Sequence, residues 1–236
     1  MSKRLVALIA VFLLAANLSA GDPWRDKPYK QWDEKDIRKI LTDSPWAKTV
    51  PVVNTWGGAG TGADFTPLGP SGGDPRDIRP EKPPADQVPQ AAFVVRWGSL
   101  RRALARRALL RGVAEPEVER FLAQEPALYE VMVSGPDMTP FASADEKDLQ
   151  AMQERSSLAS KKSRTRLAPE RVEVERGPDG KRIVAVHFYF AKKTAAGPPP
   201  LSAEEKGAEF ICQVGRTTLK ANFDFQKMTD NQGTDL

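Results

Sequence analysis

Few residues in this 236-residue chain have the types and spacing that chemistry requires. The run Gly57-Gly58-Ala59-Gly60-Thr61-Gly62 has the composition of a phosphate-binding loop. Such a loop needs a helix to begin where it ends, so that backbone N–H groups and the helix dipole meet the phosphate. Here proline-rich sequence follows without a Lys-Ser or Lys-Thr pair, and no nucleotide site is expected. The single histidine, His187, alternates with Ala185 and Tyr189 and reads as a structural position in a strand. The single cysteine, Cys212, alternates with Phe210 and Val214 and reads as a small core residue. A Cys212–His187 pair is the one nucleophile–base dyad these singletons permit. A hydrolase using that pair, or carboxylates, is the enzymatic alternative. One cysteine excludes a disulfide framework, a zinc finger or an iron–sulfur cluster within one chain, and no metal or organic cofactor is expected.

The charged groups have ordinary accounts. Glu115, Glu117 and Glu119 flank one helix start and Asp145 and Glu146 another, where the helix dipole favours acids. Arg101, Arg102, Arg106, Arg107 and Arg111 make one helix basic, with Leu100, Ala103, Leu104 and Ala108 as its apolar face. The arginines are either its solvated side or a surface for an acidic partner, anionic lipid or polyanion. A second basic run, Lys161 to Arg166, reads as a mobile connector. Tryptophans are more suggestive. Trp24, Trp32, Trp46 and Trp56 crowd the N-terminal segment, and only Trp97 lies elsewhere. Trp32, Trp46 and Trp56 are candidate interaction or docking residues. Large aromatics either dock a short appendage on a main domain or, if exposed, stack on sugar rings and anchor partners.

The organisation follows from composition. Lys3 and Arg4, the apolar run Leu5 to Ala16 and the small residues up to Ala20 make a secretory signal peptide over 1–20. A bilayer-spanning helix needs about 20 apolar residues, so no membrane span is expected after cleavage. Without residues 1–20 the charge falls from +4 to near +2, which is no argument for a specific nucleic-acid partner. A helical N-terminal element is expected over 21–56, with a helix around Ile37, Ile40 and Leu41, a second starting at Ser44-Pro45, and a β-like run from Val50 to Trp56. Residues 57–90, rich in glycine and proline without apolar periodicity, read as a disordered linker.

An α+β domain is expected over 91–228, its antiparallel sheet packed with a few helices. Phe93–Trp97 and Leu128–Ser134 read as strands. Ser99 is placed to cap a helix ending at Gly112, and a second helix fits Glu115–Gln124 with Val118, Phe121 and Leu122 inward. Ser143-Ala144-Asp145-Glu146 reads as a capping box. The alternating runs from Val172 to Phe190 and from Phe210 to Phe225 are the clearest strands. Residues 229–236 read as a flexible tail, since Asp230 to Asp235 has calcium-loop ingredients without the spacing.

Lys27-Pro28-Tyr29, Trp32 and the block Lys39-Ile40-Leu41-Thr42-Asp43-Ser44-Pro45-Trp46-Ala47 resemble a family of exported bacterial proteins without an assigned function. The resemblance extends to Val95-Arg96-Trp97, Ala208-Glu209-Phe210 and Leu219–Phe223, covering most of the mature chain except the Gly/Pro insert. It implies export and an α+β domain and carries no catalytic residue. The expected function is an exported, non-enzymatic envelope or interaction module, periplasmic or extracellular, whose partner is a protein or an envelope polymer. A carbohydrate-binding protein using the N-terminal tryptophans is a further alternative.

Overall fold

The computed structural model describes residues 21–52, 91–142, 145–192, 201, 204–215 and 217–234. The expected signal peptide, the 57–90 linker and Trp56 lie outside the described residues. The chain is α+β, with two antiparallel sheets packed with helices and a small helical element at the N-terminus.

Proline at a first helical position opens α1 (Pro23–Asp26), and a 3-10 turn follows at Tyr29–Gln31. Asp33 then caps α2 (Glu34–Thr42). Its carboxylate accepts from the Asp36 amide at 2.8 Å while the Asp36 carboxylate accepts from the Asp33 amide at 3.2 Å, a reciprocal capping box. Ile37, Ile40 and Leu41 face inward at helical spacing. The helix expected at Ser44-Pro45 does not form. The Ser44 hydroxyl donates back to the Ile40 carbonyl at 2.7 Å, and Ser44 and Ala47 exchange backbone hydrogen bonds across a tight turn. That turn drops Trp46 into the core and starts β1 (Ala47–Val52).

β1 lies antiparallel to β2 (Ala91–Trp97), with Ala47 opposite Arg96 and Val52 opposite Ala91. The N-terminal element therefore supplies an edge strand of the main sheet. Next come α3 (Arg101–Leu110), α4 (Glu115–Ala123) and β3 (Leu128–Ser134), then α5 (Glu146–Glu154), β4 (Ser157–Ser160) and β5 (Arg166–Leu167). β6 (Arg171–Arg176), β7 (Ile183–Ala191), β8 (Gly207–Val214) and β9 (Thr217–Asp224) complete the sheets, whose orders are β1-β2-β3-β7-β6 and β5-β4-β8-β9. Aromatic residues join them: Trp97 meets Phe223 and Phe225 edge-on at 5.2 and 5.4 Å, and Phe188 meets Phe210 at 5.2 Å.

Several local expectations change. α3 begins after Leu100 without a side-chain cap, so Ser99 is not its N-cap; Gly112, with φ +87°, ends the excursion as expected. Of the residues assigned inward on α4, Val118 is buried, but Phe121 is exposed beneath the Arg101 guanidinium, 4.3 Å from its ring centre. α5 is capped by Asp145, which accepts from the Asp148 amide at 2.9 Å; Ser143 and Ala144 lie outside the described residues. β4, from Ser157 to Ser160, is too short and polar to have been legible. The flexible tail expected over 229–236 differs over its described residues, 229–234. β10 (Thr229–Asp230) pairs with β11 (Gly233–Thr234), Asp230 is buried in an ion pair with Arg102, and the Asn231 amide donates to the Trp24 carbonyl at 3.2 Å. Burying a carboxylate is tolerated there because a cation meets it.

Trp24, Trp32, Trp46 and Trp97 are all buried. Trp24 meets Trp46 edge-on at 6.1 Å, and the Trp32 indole N–H donates to the Pro23 carbonyl at 2.9 Å. A void of only about 10 Å³ remains where Trp24, Trp32 and Trp46 meet Leu100 and Ala103 of the α3 region. Deleting a large buried aromatic costs about 3–5 kcal/mol. Trp46→Ala should lower unfolding stability by that amount in a denaturant melt; an unchanged midpoint would show that the indole does not contribute to the core.

Candidate functional site

Strand alternation decides where the candidate dyad goes. On β7, Val186, Phe188 and Phe190 point into the core, so His187 and Tyr189 face outward. On β8, Cys212 is completely buried beside Phe210 in the same core. Burial pushes its thiol up to about 11, so it is not a thiolate near neutrality. The two singletons therefore lie on different faces of the sandwich, and the Cys212–His187 pair is not assembled.

What the sheet assembles around His187 is a pair of carboxylates. The register sets Met132 of β3 and Glu173 of β6 directly opposite His187, which puts Glu130 and Glu175 at diagonal positions on the two flanking strands. Glu130 Oε1 lies 2.6 Å from Nδ1, and Glu175 Oε2 lies 3.4 Å from Nε2. Tyr189 stacks parallel to the imidazole at 6.3 Å, and the Arg171 guanidinium covers the tyrosine ring at 4.3 Å. Burial opposes charge on His187, but the hydrogen bond and charge of Glu130, followed by those of Glu175, outweigh it and raise its pKa above the ordinary 6.5. Tyr189 is pushed up to about 12 by burial and then by the charges of Glu130 and Glu173, and stays a neutral phenol.

Glu130 also lines an open cleft of about 230 Å³ with Gly98, Arg101, Leu122, Tyr129 and Lys192. Gly98 is required there for space: a Cβ at that position would lie 2.6 Å from the Glu130 Cβ. The cations on the cleft wall are committed elsewhere. Arg101 donates to the Phe121 and Gln124 carbonyls, and Lys192 sits over the Tyr129 ring at 5.2 Å. The Tyr129 hydroxyl donates to the Leu201 carbonyl at 2.5 Å. A general base needs an imidazole nitrogen free to take a proton. Here both nitrogens of His187 face carboxylates, which favour the protonated ring and leave neither nitrogen open to a substrate. Among the described residues no group of three or more His, Cys, Asp or Glu side chains is placed to hold a metal ion.

The remaining sequence candidates are dispersed. The Gly57–Gly62 run and Trp56 lie outside the described residues. Buried Trp32 and Trp46 present no ring to a sugar. The basic helix is largely tied inward. Arg101 bonds to α4, Arg102 pairs with Asp230, and the Arg106 Nε donates to the Trp32 carbonyl at 2.7 Å, leaving Arg107 and Arg111 as its exposed members. Sequence reasoning missed Glu130 and Glu175 as partners of His187. Their alternation was readable, but the register that makes them neighbours was not.

Because its pKa is raised on folding, His187 contributes stability that is fully present below about 6.5 and is lost as pH rises through the higher folded-state value. The melting temperature should therefore fall as pH climbs through that window, and His187→Gln should flatten the slope. A wild-type melt that ignores pH there, or a variant with the same slope, would contradict this.

Family models, curated proteins and solved structures provide no match to this chain.

Proposed function

We propose that the protein is an exported, non-enzymatic interaction module of the cell envelope that engages a partner protein through the α3–α4 hairpin. One observation carries this reading. Among the described residues the exposed large apolar side chains are Leu110, Val113 and Phe121, and all three belong to that hairpin. Scattered apolar exposure is ordinary, whereas its confinement to one element suits a surface kept for another molecule.

The hairpin is also held rigidly, which lowers the entropy cost of binding. Arg101 ties α3 to α4, Arg106 ties α3 to the N-terminal element, and Lys30 bridges to Glu115 and Glu119 on α4. Exposed Arg107, Arg111 and Arg120 together with Lys30 outweigh the exposed Glu115, Glu117 and Glu119 by about one charge, leaving the rim slightly positive. The matching partner surface is an apolar groove with an acidic border. Export is supported by the order of basic, apolar and small residues over 3–20. No helix among the described residues is long and apolar enough to cross a membrane.

A photoreactive residue at position 121 in envelope-localised protein should cross-link one acidic-rimmed partner. Leu110→Asp should abolish the adduct while shifting stability by no more than about 0.5 kcal/mol, as expected for an exposed position. Intact mass of the same material should begin near Gly21. An adduct insensitive to Leu110→Asp, or retained Met1, would overturn the corresponding half of the proposal.

A further inference from the structure

The basic run Lys161–Arg166, expected to be a mobile connector, is an ordered turn built around a carboxylate. It joins β4 to β5 and is closed by the Ser160 amide donating to the Thr165 carbonyl at 2.9 Å. A single oxygen of Glu205, reaching in from the segment before β8, accepts from the Ser160 hydroxyl at 2.5 Å and from the Lys162 and Ser163 amides at 3.1 Å each. The Ser163 hydroxyl lies 2.8 Å from the Ser160 hydroxyl and 2.9 Å from that of Thr165. Arg164 is held at φ 58°, the one positive φ outside glycine among the described residues. Such backbone strain is concentrated at functional sites. Lys161, Lys162, Arg164 and Arg166 are all exposed on the turn, with the Lys162 Nζ donating to the Glu204 carbonyl at 3.5 Å.

Convergent backbone N–H groups and hydroxyls around one oxygen form an anion-binding nest. A structural staple would need only those hydrogen bonds. It does not account for the four exposed cations, Lys161, Lys162, Arg164 and Arg166, that this one turn carries. We propose that this turn is a receptor for the phosphate groups of an anionic polymer, and that Glu205 is an internal occupant that phosphate displaces. A phosphate group offers several acceptor oxygens to the same donors and brings more negative charge to a turn rich in exposed cations. The exposed residues of the turn, Lys161 to Arg166, are all polar, so it has no apolar side chain to insert into a bilayer and fits a soluble polymer better than a membrane. Glu205 belongs to neither strand of the hairpin, so its release leaves the β4–β5 pairing intact.

The test is amide NMR of the full mature chain titrated with inorganic phosphate and then with soluble polyphosphate, at constant ionic strength against chloride. The Lys162 and Ser163 amides should shift with phosphate and not with chloride. Glu205→Gln keeps an acceptor oxygen but removes the competing charge, and should tighten binding about tenfold. Lys161→Ala/Arg164→Ala, which leaves the Glu205 contacts in place, should weaken binding about tenfold. Polyphosphate should bind more tightly than phosphate, and vesicles of anionic phospholipid should not shift the turn. Amides unmoved by phosphate in both wild type and Glu205→Gln would overturn the proposal. If Glu205→Gln disorders the turn, the double variant decides, and an unchanged affinity there rejects the receptor. A response confined to vesicles would reject the polymer.

Discussion

Trp97 is where the tertiary structure is joined. It ends β2, and its backbone amide donates to the Trp46 carbonyl at 2.8 Å, tying the main sheet to the turn that follows α2. Its indole lies 5.2 Å from Phe223 and 5.4 Å from Phe225, which come from the second sheet and its exit, and 5.7 Å from Tyr129 on the neighbouring strand. Aromatic burial supplies the largest hydrophobic contribution per residue, and edge-on geometry adds to it. The residues gathered here run from Trp46 to Phe225 in sequence. Loop-closure entropy must be overcome before such contacts stabilise anything, so the core forms only when both ends of the chain are in place.

This constraint determines what remains for function. With Trp24, Trp32 and Trp46 consumed in packing, and Arg102 and Arg106 consumed in tying α3 to the C-terminal hairpin and the N-terminal element, the most distinctive residue types in the sequence serve the fold. The sheet's outer face carries His187 between the Glu130 and Glu175 carboxylates. Two features are left over: an exposed apolar hairpin and a basic turn closed on its own carboxylate. Both are the surfaces for which a partner is proposed.

Elements whose signals are local were legible. α2 was legible through the spacing of Ile37, Ile40 and Leu41, and β3, β7 and β9 through their strand-like runs. The α+β class followed from these. Ser44-Pro45 misled because cap-and-proline chemistry also suits a tight turn, and the pull of Trp46 into the core decided between them. The C-terminal hairpin and the Lys161–Arg166 turn were unreadable for a different reason. Each is held in part by a carboxylate distant in sequence, Asp230 meeting Arg102 and Glu205 meeting Ser160, Lys162 and Ser163, and sequence offers no signal for such pairings. His187 read correctly as a strand residue, yet its partners Glu130 and Glu175 depend on strand register.

The account rests on one cooperative core shared by the N-terminal element and both sheets. Native-state hydrogen exchange in increasing denaturant addresses it directly, because amides that open only by global unfolding share one free energy. The amides of Ile40 in α2, Val131 in β3 and Phe223 in β9 should converge on a single denaturant-dependent isotherm. An α2 amide that keeps exchanging through a separate, lower-energy opening would show that the N-terminal element is an appendage resting on an independent domain.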